Sequence, residues 1–299
     1  QLENSIHDGN RKKILFFGNS HLAGVKTALG DYAKDLSFVP MNFLENDPFC
    51  ELEEYGFSRF IFKNDSFEDL KNVTADYLVV VGYGLFGDGI IRVLGRLKTY
   101  LNGMNRNEHS PDLPMSKDEV IRIYPDIIAY LLNRLINISK VVDLSVFKGI
   151  VLIPSPDIPE RIAVKRFGNS AVTSGNFCEL KNAYSEVFDH LFEPLKDSVK
   201  LLPHDKGLNT VSGFLDDKYA NLKKPYDIHP TESFYLDQKI SDKIFDSLRS
   251  GFGFDKSVQN TKNLLQIRAI EILDNYLSEN TTRYSAYTAK ANILLDMLQ

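Results

Sequence analysis

The sequence predicts an α/β protein built as a three-layer, doubly wound sandwich around a mostly parallel, five-stranded sheet. Two observations carry this prediction. Short apolar runs alternate along the chain with segments in which apolar residues recur at helical spacing, which is typical of alternating strands and helices. Three of the runs consist mainly of Val, Ile, Leu and Phe, as expected for parallel strands that are covered on both faces.

Five runs are predicted to be strands, at residues 13–18, 36–43, 77–82, 149–154 and 199–202. The intervening segments with helical spacing are 20–33, 90–102, 117–141 and 177–196. In an open sheet of this kind, ligands bind beyond the carboxyl ends of the strands. Gly18, Gly82 and Ser155 all fall at that edge, so we expect the functional site there.

Several segments between and after these elements are less regular. A run at 57–62 predicts an extra strand or a hairpin, whereas 101–115 and 157–175 are rich in turn-forming or polar residues and are predicted loops. The last helix of the core is predicted to run through Phe234, Leu236, Ile240 and Ile244, with Pro230 in its first turn.

The C-terminal part of the chain has a different pattern. Residues 257–277 and 284–298 predict a helical hairpin. We therefore expect an α/β domain at 12–250 and a helical appendage at 256–299. The appendage packs either on the core or on a second subunit, and the second arrangement would make the protein a homo-oligomer.

The composition is that of a globular protein that does not bind nucleic acid. Of 299 residues, 43% are hydrophobic and 25% are charged, which are ordinary proportions. The net charge of −5 argues against a nucleic-acid surface, because such a surface needs clustered basic residues. Cys50 and Cys178 give neither a metal-ligand spacing nor a disulfide framework, and we expect two reduced thiols.

The chain contains no signal for a membrane or for export. No stretch reaches the roughly 18 apolar residues of a membrane span, and we expect no transmembrane segment. No signal peptide is recognised at the start, so a cytoplasmic location is our expectation. The sequence begins at Gln1 rather than at methionine, which leaves open that an upstream segment was removed.

The candidate nucleophile lies where the first predicted strand meets the first predicted helix, in Gly18-Asn19-Ser20-His21. A strand that ends in glycine and turns into a helix at a serine lifts that side chain clear of the sheet. The free amides and positive dipole end of the helix would stabilise negative charge on a substrate oxygen. The alternative is that Ser20 only caps the helix.

Asp227-Ile228-His229-Pro230 supplies the side chains that complete a serine triad. Pro230 biases His229 towards extended backbone, and residues two apart on an extended segment point to the same side. Asp227 can therefore fix the tautomer of His229, which in turn accepts the proton of Ser20. The alternative is a polar loop in which both side chains are solvated.

These two elements resemble the SGNH (GDSL-like) hydrolase superfamily. The Gly-Asn-Ser element matches the first family block, with Asn19 in place of the usual aspartate, and the resemblance covers about residues 12–250. It implies a flavodoxin-like sandwich and a Ser-His-Asp site that acts on esters, often acyl groups on carbohydrates. The family usually places the acid three residues before the histidine, at Tyr226 here. The two-residue spacing of Asp227 also occurs in alginate O-acetyltransferase relatives.

The third block of the family, glycine-x-asparagine-aspartate, aligns with residues 82–85. Gly84 then stands where an asparagine usually donates to the oxyanion, and losing one such donor typically costs about 100- to 1000-fold in rate. The expectation is that the backbone amides of Ser20 and Gly84 compensate, or that Asn19 swings in. The oxyanion hole is therefore the point at which the sequence departs most from the family.

Other residues near the predicted strand ends are candidates for the pocket. Tyr83 and Arg161 could line it, as could His204, which with Asp205 ends the last strand. His21 follows the nucleophile, and it either contacts the substrate or is solvated at the helix N-terminus.

The first hypothesis is a serine esterase or O-acyltransferase. Ser20 attacks an acyl carbonyl, His229 accepts and returns the proton, and Asp227 orients the imidazole. No metal or organic cofactor is needed. Water as acceptor gives a hydrolase and a sugar hydroxyl gives a transferase, while a small-molecule or glycan acyl ester as substrate follows only from the resemblance. A metal site from His204, Asp227 and His229 matches no standard ligand spacing.

Two alternatives stay open. A catalytically silent SGNH-like fold that binds carbohydrate or a protein partner is favoured by Gly84. A nucleotide-binding α/β enzyme would use the glycine-rich segment 82–89, whose spacing fits a dinucleotide fingerprint. That motif needs an acidic residue at a strand end about 20 residues further on, and Glu108 lies in a predicted loop instead.

Overall fold

A computed structural model provides the structure of the chain. It describes residues 14–18, 20–30, 37–40, 50–52, 58–60, 76–87, 89–90, 125, 127–132, 147–168, 174–224, 227–252, 261–279 and 284–298. The predicted loop at 101–115 and most of the predicted helix at 90–102 lie outside these residues.

The strands are β1 (Ile14–Gly18), β2 (Ser37–Pro40), β3 (Cys50–Leu52), β4 (Ser58–Phe60), β5 (Tyr77–Phe86), β6 (Gly149–Ser155) and β7 (Val199–Leu201). β1, β5, β6 and β7 lie side by side in that order, and each pairing is parallel. β2 pairs in parallel with the other edge of β1, while β3 and β4 form a separate antiparallel pair. The predicted α/β class with a parallel sheet is confirmed, and β4 provides the extra strand predicted at 57–62.

The helices are α1 (Leu22–Leu29), α2 (Glu160–Phe167), α3 (Ser174–Phe192), α4 (Glu232–Asp237), α5 (Ile240–Arg249), α6 (Thr261–Glu279) and α7 (Tyr284–Met297). Residues 127–132 are also helical. This segment and α1 fall within two of the predicted helices, and α3 overlaps a third but begins three residues before its predicted start. No helix of the described part has an apolar stretch long enough to cross a membrane.

Successive residues of the central strand β5 face opposite sides of the sheet. Leu78 and Val80 are completely buried in an apolar cluster with α3, α6 and residues 127–132. Val79 and Val81 are equally buried in a second cluster, with α1, α4 and α5. The helices therefore cover the sheet on both faces, and each buried side chain of this size contributes about 1.5–3 kcal/mol.

The C-terminal hairpin packs on the core. Leu265, Ala269 and Leu273 of α6 are at most 1% exposed and belong to the same apolar cluster as α3. Ala286 of α7 is buried in that cluster as well. Of the two arrangements predicted for the hairpin, the structure has the one in which it covers a face of the α/β core.

The predicted loop at 157–175 is wrong, because α2 lies within it. Glu160 stands in the first turn of α2 and Arg166 in the last, so both charges complement the helix dipole. Ile162 and Ala163 face inward and are at most 2% exposed. Charged residues on both sides of this short apolar pair conceal the helical periodicity in the sequence.

The single helix predicted from Phe234 to Ile244 is also wrong, because it is divided into α4 and α5. Lys239 adopts a left-handed conformation with φ 51° and redirects the chain between the two helices. Leu236, an apolar residue of the predicted helix, is 52% exposed. Gln238 turns inward instead and is 1% exposed.

Strand β5 continues to Phe86, beyond the predicted end at Gly82. The pairing with β6 shifts register between Val81 and Phe86, which is the geometry of a bulge. Gly82 has φ 71° and Phe86 has φ 53°, and glycine permits such a conformation without steric cost. The bulge lies at the carboxyl edge of the sheet, where the site residues meet.

Candidate functional site

The site begins at Gly18, where β1 lies close against Val81 of β5. A Cβ atom on Gly18 would lie 2.3 Å from the carbonyl oxygen of Val81 and 2.9 Å from its Cβ atom. Only glycine fits between the two strands at this point. The chain leaves β1 at Gly18 and enters the turn that carries Ser20, so this close approach fixes where Ser20 emerges.

Ser20 lies exposed in the turn between β1 and α1. His21, rather than Ser20, is the N-cap residue of α1, and the Ser20 hydroxyl contacts His229 instead. The first amides of a helix have no carbonyl partner within it, and the first turn of α1 has no acidic side chain. The positive end of the helix dipole is therefore available to an anion beside Ser20. Asn19 lies outside the described residues.

The segment that carries Asp227 and His229 is held by backbone hydrogen bonds at both ends. The amide of Asp227 donates to the carbonyl of Lys224 at 2.9 Å, and the amide of Thr231 donates to the carbonyl of Tyr219 at 2.7 Å. α4 begins directly afterwards, at Glu232. The loop therefore has a defined position against the rest of the fold.

The structure brings Ser20, His229 and Asp227 together. The Nε2 atom of His229 lies 2.6 Å from the Oγ atom of Ser20, and its Nδ1 atom lies 2.6 Å from Oδ1 of Asp227. The His229 side chain is 40% exposed and that of Asp227 is 19% exposed. The acid thus lies deeper than the base, and the serine lies at the surface.

Asp227 is held as a carboxylate by donors around it. Partial burial raises the pKa of Asp227. Hydrogen bonds from the backbone amide and the ring of His229, the charge of His229, and a hydrogen bond from the Asn221 amide lower it, and the net result is a pKa below the ordinary value. The His229 amide lies 3.0 Å from Oδ1 and Nδ2 of Asn221 lies 3.4 Å from Oδ2. Sequence reasoning missed Asn221, since no motif marks it.

These contacts determine which atoms carry protons. A carboxylate only accepts, so Nδ1 of His229 carries the hydrogen and Nε2 presents its lone pair to Ser20. In this tautomer the imidazole can take the serine proton, and the resulting cation is stabilised by Asp227. The arrangement is therefore chemically suited to nucleophilic catalysis.

His21 is buried, which excludes the solvated one of its two predicted arrangements. It is 2% exposed, its Nδ1 atom lies 3.2 Å from the hydroxyl oxygen of Tyr235, and its ring centroid lies 5.0 Å from that of His229. Tyr235 did not emerge from the sequence, where it reads as an ordinary apolar residue of a helix.

His204 is partly buried, and both of its ring nitrogens make hydrogen bonds. Its Nε2 atom lies 2.7 Å from the carbonyl oxygen of Pro154, and its Nδ1 atom lies 2.7 Å from Oε1 of Gln238. Burial lowers the pKa of His204 more than these two hydrogen bonds raise it.

The remaining candidates are positioned as follows. Tyr83 and Gly84 belong to β5, and only their backbone is described by the structure. Arg161 donates through Nε to Asp217 at 3.3 Å, and Ser155 is buried at the end of β6. In the described part of the chain, no group of three His, Cys, Asp or Glu side chains is arranged to hold a metal ion.

No family model, curated protein or solved structure matches this chain. The chemistry that can be assigned to the site therefore rests on the geometry of its own residues.

Proposed function

We propose that the protein is a serine esterase or O-acyltransferase of the SGNH type. The observation that supports this most strongly is the continuous pair of 2.6 Å contacts from Asp227 through His229 to Ser20. Such a pair supplies an oriented base within hydrogen-bond reach of a nucleophile, which is what proton transfer requires. The position of Ser20 beside the N-terminus of α1 adds an anion-stabilising environment.

The reaction has two steps. The Oγ atom of Ser20 attacks the acyl carbonyl while its proton passes to Nε2 of His229, and the imidazolium then donates that proton to the departing alkoxide oxygen. This leaves an acyl-enzyme on Ser20. Asp227 keeps Nδ1–H directed at its carboxylate in both steps, so the ring needs no reorientation.

The second step releases the acyl group. An incoming hydroxyl gives its proton to Nε2 of His229 and attacks the ester on Ser20, and the proton then returns to the serine oxygen. Water as acceptor completes hydrolysis, and a sugar hydroxyl completes transfer. Ser20 and the half-exposed ring of His229 lie at the surface, which suits a bulky substrate such as a glycan ester.

Stabilisation of the oxyanion is the part of the mechanism that differs from the family pattern. In our proposal the backbone amides of Ser20 and Gly84 donate to it, with Asn19 as a further donor. The bulge of β5 between Val81 and Phe86 supports this assignment, because a bulged strand frees amides that a regular ladder would use. Removing one oxyanion donor typically costs about 100- to 1000-fold in rate.

The wider architecture in this proposal is the flavodoxin-like sandwich of that superfamily. β2 supplies the fifth strand of its sheet, and residues 12–250 form the domain. The parallel pairing of β2 with β1 supports the fifth strand. The hairpin at 256–299 is then an addition that covers one helical face.

Hydrolysis of p-nitrophenyl acetate tests the proposal. Ser20→Ala and His229→Ala should each lower kcat/KM by at least about 1000-fold. Ser233→Ala and His190→Ala are matched controls, because Ser233 bonds only Thr231 among the contacts described at the start of α4 and His190 lies exposed on α3. Turnover that survives Ser20→Ala would overturn the proposal.

A second candidate function is a catalytically silent fold that binds carbohydrate or a protein partner. Gly84 at the position of the usual oxyanion asparagine favours it. In that case the wild-type chain would release no p-nitrophenol, and would bind an acetylated glycan with an affinity unchanged by Ser20→Ala. Calorimetric titration of both chains with the same glycan separates the two functions.

A further inference from the structure

The ring of His21 packs directly against the ring of His229. Their centroids lie 5.0 Å apart with an interplanar angle of 52°. His21 is 2% exposed, whereas the His229 side chain is 40% exposed. One buried imidazole therefore forms a wall beside the exposed imidazole that contacts Ser20.

His21 is itself fixed by α4. The hydroxyl oxygen of Tyr235 lies 3.2 Å from Nδ1 of His21, and Tyr235 is 3% exposed. A buried hydrogen bond between two aromatic side chains restricts both rings, since breaking it leaves a polar atom without water. The wall beside His229 is therefore rigid.

A glycine in α1 makes this arrangement sterically feasible. A Cβ atom on Gly24 would lie 2.1 Å from the Cε2 atom of Tyr235, so the tyrosine ring lies directly on the backbone of α1. α1 also carries His21 at its N-terminus. The packing of Tyr235 on Gly24 thus sets the distance between α4, which follows His229, and the turn that carries Ser20.

We propose that His21 is a positioning residue, which together with Tyr235 holds the His229 imidazole in line between Asp227 and Ser20. This inference rests on the proposed function. The hydrogen bond to Asp227 fixes one nitrogen of the ring and leaves rotation about it open. Once Nε2 has taken the serine proton it donates to the departing oxygen, and the ring of His21 still borders the imidazole and limits its rotation.

The predicted loss is in kcat rather than in KM, because a misdirected Nε2 impairs proton transfer and leaves substrate binding unchanged. A displacement of about 1 Å at a reacting group can cost about 100-fold. His21→Ala, which removes the wall, should lower kcat about 10- to 100-fold. Tyr235→Phe, which removes only the hydroxyl, should lower kcat about 3- to 10-fold.

Tyr219→Phe is the matched control. The Tyr219 hydroxyl donates to Asp237 at 2.7 Å, and its ring packs on Phe234, which also contacts Tyr235. The control therefore removes a comparable hydrogen bond from the same region. It should leave both kcat and KM within twofold of wild type.

A spectroscopic measurement tests the same inference without any turnover. With histidine labelled by ¹⁵N, the Nδ1–H proton of His229 should give a sharp downfield signal in wild type and in Tyr219→Phe, assigned by its loss in His229→Ala. In Tyr235→Phe and His21→Ala the signal should broaden, because the ring moves and the proton exchanges with water. Tyr235→Phe keeps the buried ring, so it carries the test if His21→Ala does not fold.

The outcomes separate this inference from the proposed function. If Ser20→Ala abolishes turnover while both His21→Ala and Tyr235→Phe keep kcat within twofold, the positioning role is wrong and the function stands. An unchanged Nδ1–H signal in folded Tyr235→Phe overturns the positioning role as well. If Ser20→Ala leaves turnover unchanged while the Nδ1–H signal broadens as expected, the proposed function is wrong, but His21 and Tyr235 still restrain the His229 ring.

Discussion

Nε2 of His229 lies 2.6 Å from Oγ of Ser20, although 209 positions separate the two residues in the sequence. The position of Ser20 is determined by the close approach of β1 and β5 at Gly18, and the position of His229 is determined by the loop that leads into α4. Two distant segments thus meet at one edge of a parallel sheet, as expected for ligand sites in open α/β folds.

Replacing the acid should impair the reaction and leave the fold intact. In Asp227→Asn the side chain can no longer hold Nδ1–H, so the imidazole turns to the wrong tautomer, and kcat should fall about 1,000- to 10,000-fold with little change in KM. Asp205→Asn is the control, since its carboxylate pairs with Lys243 at 2.8 Å outside the site. Steady-state kinetics on p-nitrophenyl acetate provide the measurement, and an Asp227→Asn rate within tenfold of wild type would contradict the assigned role.

The partly buried His204 should make folding stability depend on pH. Its folded-state pKa is lowered, by burial first, from an ordinary value of 6.5. The free energy of unfolding is therefore highest above about pH 6.5. It declines as the pH falls towards the folded-state pKa, because the unfolded chain binds the proton at a higher pH than the folded chain does. Each unit of difference in pKa is worth about 1.4 kcal/mol.

His204→Gln is the comparison for that pH dependence. A glutamine amide can still donate towards the carbonyl of Pro154, but it does not titrate. Urea unfolding of both chains between pH 5 and 8 should give a free-energy difference in favour of wild type that shrinks as pH falls. A difference that is constant over this range would show that His204 titrates alike in the folded and unfolded chains.

Gly18→Ala should destabilise the carboxyl edge of the sheet. The new Cβ would lie 2.3 Å from the carbonyl oxygen of Val81, and backbone cannot move aside as a flexible side chain does, so we expect a loss of about 1–3 kcal/mol. Activity should fall as well, since Ser20 follows two residues later. Gly207→Ala is the control, because no atom lies within 4 Å of a Cβ at Gly207. Chemical denaturation of both variants gives the comparison, and equal stabilities would refute the predicted clash.

Truncating a buried leucine of the C-terminal hairpin should destabilise the whole α/β core. Leu273 is 0% exposed and belongs to the apolar cluster with α3, so Leu273→Ala should cost about 2–5 kcal/mol. Ile267→Ala on the same helix removes a side chain that is 46% exposed and should cost much less. Thermal unfolding can be followed by far-UV circular dichroism and by intrinsic tyrosine fluorescence. In Leu273→Ala the midpoints seen by both probes should fall by the same amount. A transition confined to the helix signal would mean that the hairpin unfolds by itself.

The sequence was sufficient for the α/β class, because buried parallel strands and amphipathic helices leave periodic patterns that are read locally. It failed at α2, where Glu160 and Arg166 interrupt the apolar pattern around Ile162. It failed again at Lys239, because a left-handed residue inside an apolar pattern has no local signature when it is not glycine. Both errors concern backbone choices that packing decides.

The candidate site divides in the same way. Ser20, Asp227 and His229 were identifiable from the sequence, because each stands at a strand end or before a proline with a neighbour of suitable chemistry. Asn221 and Tyr235 were not, since their partners lie on other segments and no spacing rule connects them.

The sequence by itself determined the alternation of strands and helices and the two polar motifs, because both depend on residues that are close along the chain. Only the tertiary structure decided that Ser20 and His229 meet, that His21 is buried against His229, and that α6 covers the core. Each of these depends on which distant surfaces pack together, and close-packed interiors select that arrangement through the fit of whole side chains rather than through any local pattern.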